Sequence, residues 1–349
     1  MFIVKVESIL KNYMIKCRPK ILIKKTLSFN QIISPIKKDL DSVDVVIKNS
    51  LHSDIPIVNQ ISSHIIQSGG KRMRPILHLL ISGLSGKVGQ INYNIAAILE
   101  LIHTATLLHD DVVDQSTKRR NIISANIVFG NSASVLVGDF IYSRSFQMMS
   151  KINNLDVMRL LSDTTNAISE GEILQLLNTH NPNTNEQEYF KVIEFKTAKL
   201  FEVCGSLAAT INSNNDDDKI NYCAKIGRNF GIIFQLIDDI LDYSGKPLDI
   251  GKNLGADLTE GKITLPLIYA MKKSSKAQKK IIKNAIKEGG INNLSDVMQI
   301  IDETNAIKDV QNKSLVYLGD IQSLLNHFQD SSYKKAIDEL AEFSVHRVS

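Results

Sequence analysis

Within the helix-prone stretch from Glu100 to Arg120, an apolar run leads into three aspartates, Asp110, Asp111 and Asp114, and Arg119 and Arg120 follow closely. Residues i and i+4 share one face of a helix, so Asp110 and Asp114 project side by side, with His103 two turns earlier on nearly the same stripe. Like charges one turn apart repel by about a few tenths of a kcal/mol on a bare helix, and by more beside apolar surface. The arrangement therefore asks for a cation. Mg²⁺ suits it, since this hard ion is typically held by one or two carboxylates together with substrate phosphates. A solvated acidic helix end is the alternative for this cluster taken alone.

A second copy strengthens the metal reading. The run from Gly231 to Tyr243 is again apolar and helical, and it carries Asp238, Asp239 and Asp242 with Gln235 on the same stripe. Unpaired carboxylates facing a core are expensive, so two such helices need something to neutralise them. Facing each other across a cavity, they would hold several Mg²⁺ ions around one diphosphate.

These side chains must be positioned by helices, because the periodicity is helical almost everywhere from Ser34 onward. Breaks are expected at Gly69-Gly70, Ser85-Gly86, His180 to Thr184 and Gly289-Gly290. Thr184 before Gln187 and Asn185 before Glu188 fit a helix start by capping-box logic. No strand alternation is long enough to build a sheet, and no solenoid period is present. The expectation is all-α: a single-domain helical bundle over residues 30–349 with its site in a central cavity.

Bulk properties narrow the function. A chain of 349 residues with 43% hydrophobic content can bury a large core, and no uninterrupted apolar run reaches the length of a membrane span. The formal net charge of +4 sits in residues 1–25, where seven basic residues face one acid, so the body is slightly acidic and offers no basic face for nucleic acid. Residues 1–29 alternate apolar and basic residues, interrupted by Pro19, and read as a dispensable extension rather than a transit or secretion signal. Cys17, Cys204 and Cys223 match no metal-ligand spacing and are simplest as reduced thiols in the cytoplasm.

A cationic group completes the set. Gly69-Gly70-Lys71-Arg72-Met73-Arg74-Pro75 places Lys71 and Arg74 three residues apart beside a flexible turn, a point charge and a guanidinium fork suited to phosphate oxygens. Lys252 and Lys262 follow the second cluster in a Gly-rich stretch and are read equally as phosphate contacts or exposed loop lysines. His109 adjoins the acids, but its side chain points about 100° away from Asp110, which favours a structural role.

In this order and spacing the chain resembles the trans-polyprenyl diphosphate synthases. The matching pieces are GGKRMRP at 69–75, the first aspartate stretch, GNSASVLVGDFIYSRSFQMM at 130–149, EGEILQL at 170–176, KTAKL at 196–200, FQLIDDILDY at 234–243 and GKNLGADLTEGKITLPL at 251–267. Within that family the wording is most similar to bacterial octaprenyl diphosphate synthases, from about Asn30 onward. The resemblance implies the isoprenoid synthase type of bundle, Mg²⁺ dependence and a homodimer, here expected to pack through the apolar segment from Ile127 to Phe140. It implies Asp110, Asp114, Asp238 and Asp242 as metal ligands, with Asp111 and Asp239 as indirect partners. Lys71, Arg74, His103 and Arg120 would bind isopentenyl diphosphate, and Arg119, Lys196, Thr197 and Gln235 the allylic diphosphate. Asn121 departs from the family, which usually has Gly there.

The implied reaction is loss of diphosphate to give an allylic cation, attack by the isopentenyl double bond, and loss of a proton, with released diphosphate as acceptor. Ala105 and Thr106, five and four residues before Asp110, lie about one turn deeper. Both are small and should leave a chain path open, and a Phe at position 105 is expected to shorten the product. The expected product is all-trans, near forty carbons, for a quinone side chain and delivered to the membrane. Alternatives are a shorter-chain farnesyl or geranylgeranyl synthase and a non-catalytic subunit of a heteromeric synthase.

Overall fold

The computed structural model describes residues 28–119, 122–212, 216–244, 254–290 and 293–348. Arg120, Lys252 and residues 1–27 of the N-terminal extension lie outside the described residues. The helices are α1 (Phe29–Ile32), α2 (Lys37–Ser50), α3 (Pro56–Gln67), α4 (Met73–Ser85), α5 (Gln90–Val113), α6 (Ala125–Phe129), α7 (Asn131–Ile152), α8 (Leu155–Asn178) and α9 (Glu186–Ile193). They continue as α10 (Lys199–Asn212), α11 (Asp217–Ser244), α12 (Ala256–Thr259), α13 (Leu265–Lys273), α14 (Lys276–Glu288), α15 (Leu294–Glu303), α16 (Ala306–Leu325) and α17 (Ser332–Val345). Among the described residues the strands are two short ones, β1 (Lys118–Arg119) and β2 (Ile122–Ile123), paired as a hairpin.

Helix α5 occupies the centre because its sequence is apolar on nearly every side. Ile95, Ile98, Leu99, Ile102 and Leu108 are fully enclosed, each contributing roughly 1.5–3 kcal/mol of hydrophobic stabilisation. By length and composition it could cross a membrane, but 67% of its most apolar window is buried inside the bundle, so neighbouring helices occupy the place lipid would take. Helices α10 and α11 cross very closely. A side-chain carbon at Gly205 would run into the Cys223 carbonyl, and one at Gly227 into the Phe201 carbonyl, so only glycine permits this approach. A smaller second core gathers Tyr243, Leu258, Leu267, Ile282 and Val297 beyond the end of α11.

Local signals fix the helix ends near the site. Asn185 accepts from the backbone N–H groups of Gln187 and Glu188 at 2.9 and 3.1 Å, and Glu188 accepts in return from the Asn185 N–H, so the capping box starts α9. At the other terminus of the chain Phe29 packs on Phe343 with ring centroids 5.6 Å apart, which seats α1 on α17. Between α9 and α10, residues Glu194–Ala198 form a π-helical segment, a local widening often found at functional sites.

Candidate active site

The C-terminal end of α5 delivers Asp110 and the capping residue Asp114 to a cavity of about 260 Å³, several times the space that one water or ion would fill. The cavity is lined by Asp110, Asp114 and Arg119 from this side, by Lys196, Thr197, Gln235 and Asp239 from α11 and the π-helical segment, and by Asp257 of α12 and Lys262 just after it. Thus Asp110, Asp114, Arg119, Lys196, Thr197 and Gln235 converge, although they are distant in sequence.

Two lysines neutralise the first cluster. The Lys196 ammonium lies 3.7 Å from Asp110 and donates to Glu172 at 2.5 Å and Gln175 at 2.8 Å. Lys262 donates to Asp114 at 2.6 Å and Glu260 at 2.8 Å. Burial pushes Asp110 and Glu172 above the ordinary carboxylate range, against the pull of Lys196. Burial also opposes the charge on Lys262, but Asp114, Glu260 and Asp257 outweigh it and hold the amine above its usual pKa.

The middle aspartate has a different task. Asp111 is fully enclosed; the Arg119 terminal nitrogen donates to its Oδ1 at 2.6 Å, and Nε is shared between Oδ1 and Oδ2 at 2.9 and 3.0 Å. It orients the arginine that lines the cavity. The hairpin carrying Arg119 is pinned from behind, where the His64 ring nitrogen bonds the Ile123 carbonyl at 2.8 Å.

The second cluster divides. Asp239 faces the cavity and accepts from Tyr189 at 2.5 Å and from Gln235 at 2.8 Å, while Thr197 donates to Gln235 at 2.9 Å. Burial, reinforced by the Asp257 charge, pushes Asp239 up to about 8. Asp238 is not among the lining residues. It faces the C-terminus, where Arg347 donates to it at 3.2 Å. The Lys71 ammonium lies in the same corner, 5.5 Å from the Phe343 ring, with its charge opposed by burial and by Arg347. Arg74 lies over the Phe201 ring at 4.6 Å, and His103 is half-buried on α5. Asp242 is buried and accepts backbone N–H groups of α12. Of the chain-length pair, Ala105 is fully enclosed and Thr106 half-buried, its hydroxyl donating to the His103 carbonyl. His109 turns away from the cavity, its Nε2 3.3 Å from the Val135 carbonyl and from Asp139.

Several of these roles escape sequence reading because they are tertiary. Arg347 and Tyr189 sit in no spaced motif, and only folding brings them to Asp238 and Asp239. Chemically, the cavity can hold an anion between cations and a divalent metal on carboxylates. Among the described residues no group of three or more His, Cys, Asp or Glu side chains converges as a self-sufficient metal site. Two hard carboxylates whose present counterions are lysine ammonium groups still fit Mg²⁺, which takes its remaining ligands from water and phosphate.

Comparison with known proteins agrees with this architecture. A family model described as polyprenyl synthetase matches residues 55–304. An octaprenyl diphosphate synthase of Haemophilus influenzae is 40% identical over 322 residues, covering 92% of this chain and 98% of that protein. A crystal structure of a polyprenyl synthase from Caulobacter crescentus, complexed with calcium and isoprenyl diphosphate, superposes with a TM-score of 0.89 at 34% identity, covering 93% of this chain and all of that one. A decaprenyl diphosphate synthase structure from Rhodobacter capsulatus gives 0.85 at 35% identity, covering 92% and 99%. With the helical bundle, the paired aspartate clusters and this extent of likeness together, the chain belongs to the polyprenyl synthetase family.

Proposed function

We propose that this protein is a long-chain trans-polyprenyl diphosphate synthase, adding isopentenyl diphosphate repeatedly to an allylic diphosphate. The observation that carries the reading is the convergence of Asp110 and Asp114 with Arg119, Lys196 and Lys262 in one cavity. Similarity to a decaprenyl diphosphate synthase supports a long chain in general, and similarity to octaprenyl diphosphate synthases supports a product of about forty carbons. The purified chain, given isopentenyl and farnesyl diphosphates with Mg²⁺, should yield it by mass spectrometry. A product that stops at twenty carbons, or at fifteen when dimethylallyl diphosphate is the primer, would mark a shorter-chain enzyme, and no turnover by the chain alone with either primer would mark a subunit that needs a catalytic partner.

Mg²⁺ bound through Asp110 and Asp114 would supply charge compensation for the departing diphosphate. The chain's own residues do the rest. Lys196 and Lys262 transfer hydrogen bonds from carboxylates to diphosphate oxygens, and Arg119, kept in place by Asp111, adds its remaining N–H groups to hold the allylic diphosphate. The allylic C–O bond breaks, a C–C bond forms to the isopentenyl double bond, and the proton lost passes to the released diphosphate. His109 is directed elsewhere and is not the base.

Lys71, Arg74 and Arg347 form the cationic side for isopentenyl diphosphate, which keeps its diphosphate and needs only anchoring. Arg74→Ala should therefore raise the apparent KM for isopentenyl diphosphate more than it lowers kcat, while Lys196→Ala acts on the allylic substrate. The reverse pattern in steady-state kinetics would exchange the two assignments.

Assembly follows from the surface. Ile127 and Leu136 are 56% and 66% exposed on α6 and α7, and Leu177 is 72% exposed on α8, a cost that a second copy would relieve. Sedimentation at micromolar concentration should show a homodimer, and a monomer alone would count against it. The buried, reduced thiols Cys204 and Cys223 support a cytoplasmic enzyme that passes its product to the membrane.

A further inference from the structure

The third aspartate of the second cluster has a geometry unlike that of Asp110 or Asp114. The Asp242 carboxylate accepts the Ala256 N–H on one oxygen at 3.1 Å and the Asp257 N–H on the other at 3.2 Å, and its carbonyl accepts the Gly255 N–H at 2.8 Å. It thereby caps α12 from another helix. Leu258, fully enclosed in the second core beside Tyr243, keeps α12 seated at that point.

From there the chain runs directly to the cavity. The Lys262 N–H donates to the Asp257 carbonyl at 2.8 Å, closing a short strap whose far end is held by a second residue. The His180 N–H donates to the Gly261 carbonyl at 2.9 Å, and its ring nitrogen Nδ1 bonds the Ile286 carbonyl at 2.8 Å. His180 accepts a left-handed backbone, φ 60°, to do so. Gly261, φ +73°, is packed so closely that any side chain there would run into the His180 ring.

We infer that Asp242 and His180 are positioning residues: they clamp the 254–264 strap at its two ends and so place Asp257 and Lys262 over the cavity, with Asp242 not serving as a metal ligand. The inference rests on the proposed function for what Lys262 then does, namely hold allylic diphosphate. It does not rest on that reading for the clamp itself. A cationic group that contributes through orientation loses its effect when its backbone wanders by about an ångström.

The test uses the full-length chain. Hydrogen exchange of the substrate-free protein should show amides 256–257 exchanging about tenfold faster in Asp242→Ala, the scale of a lost helix cap. His180→Ala, outside the cavity and unable to bind its metal, should loosen 261–262 in the same way, and it serves should Asp242→Ala fold poorly. Both variants should raise the apparent KM for the allylic diphosphate, and neither should add to the defect of Lys262→Met in a double-mutant cycle. Mn²⁺ affinity measured by electron paramagnetic resonance with inorganic diphosphate should remain that of the wild type. Unchanged exchange across 255–262 in both variants, or Mn²⁺ affinity lost in Asp242→Ala while His180→Ala binds normally, would overturn the inference. A wild-type chain with no prenyl transfer would instead defeat the proposed function, leaving the exchange result to stand or fall separately.

Discussion

Asp110→Asn is expected to lower kcat by on the order of 10³-fold while leaving the fold intact, the scale of losing one group aimed at developing charge. The substitution keeps shape and removes one negative charge. Asp110 is only 19% exposed, and Lys196 is its nearest counterion at 3.7 Å. Removing the charge relieves its repulsion with Asp114 and the desolvation that pushes it up, so thermal stability should hold or rise slightly. The combination of lost turnover and retained stability separates a ligand from a structural residue. Steady-state kinetics at saturating Mg²⁺, paired with a melting curve, provides the check, and near-wild-type kcat would dismiss the carboxylate from the reaction.

The second large effect is on product length, and the structure separates two positions that looked equivalent. Thr106 precedes Asp110 by four residues, so it projects about 40° from the Asp110 stripe and roughly 6 Å deeper along the helix. It is half-buried. Ala105 is rotated about 140° from that stripe and is fully enclosed by neighbours. A ring at position 106 is therefore expected to project below the Asp110 end of the helix, toward the path proposed for the growing chain. Thr106→Phe should stop elongation after very few additions and leave the first condensation near its normal rate. At position 105 the first consequence of a ring is overpacking, worth about 1–3 kcal/mol and visible as a lower Tm. Chromatography showing long products from Thr106→Phe would move the path to another face of α5.

The helices were legible because their cause is local. Apolar spacing, the Asn185 cap and the Gly289 break act within a few residues, and the observed ends fall at the expected punctuation. The β1–β2 hairpin was not legible. It is two residues a side, too short for alternation to register, and it holds through His64 on α3. The site follows the same division. Spacing alone pairs Asp110 with Asp114, and the family motifs bring Lys196, Thr197 and Gln235 to them. Which neighbour in Asp238-Asp239 faces the cavity is a matter of 100° of helix rotation, set by Tyr189 and Arg347 on distant elements. Asp111 could not be assigned to Arg119 without knowing that the chain doubles back after α5.

The π-helical segment at Glu194–Ala198 bears on how this helix tolerates insertions and deletions. Such a segment is an α-helix holding one surplus residue, which the widened turn absorbs without breaking the axis. Deleting a single residue between 194 and 198 would let the backbone relax into regular α-helix, so the chain would still fold as a rod of nearly the same length. The two flanks would keep their phase, and only the residues inside the widened turn would change direction. Lys196 and Thr197 would lose their aim into the cavity while the glycine-tight crossing of α10 on α11 kept its register, so the surplus residue serves the site and not the packing.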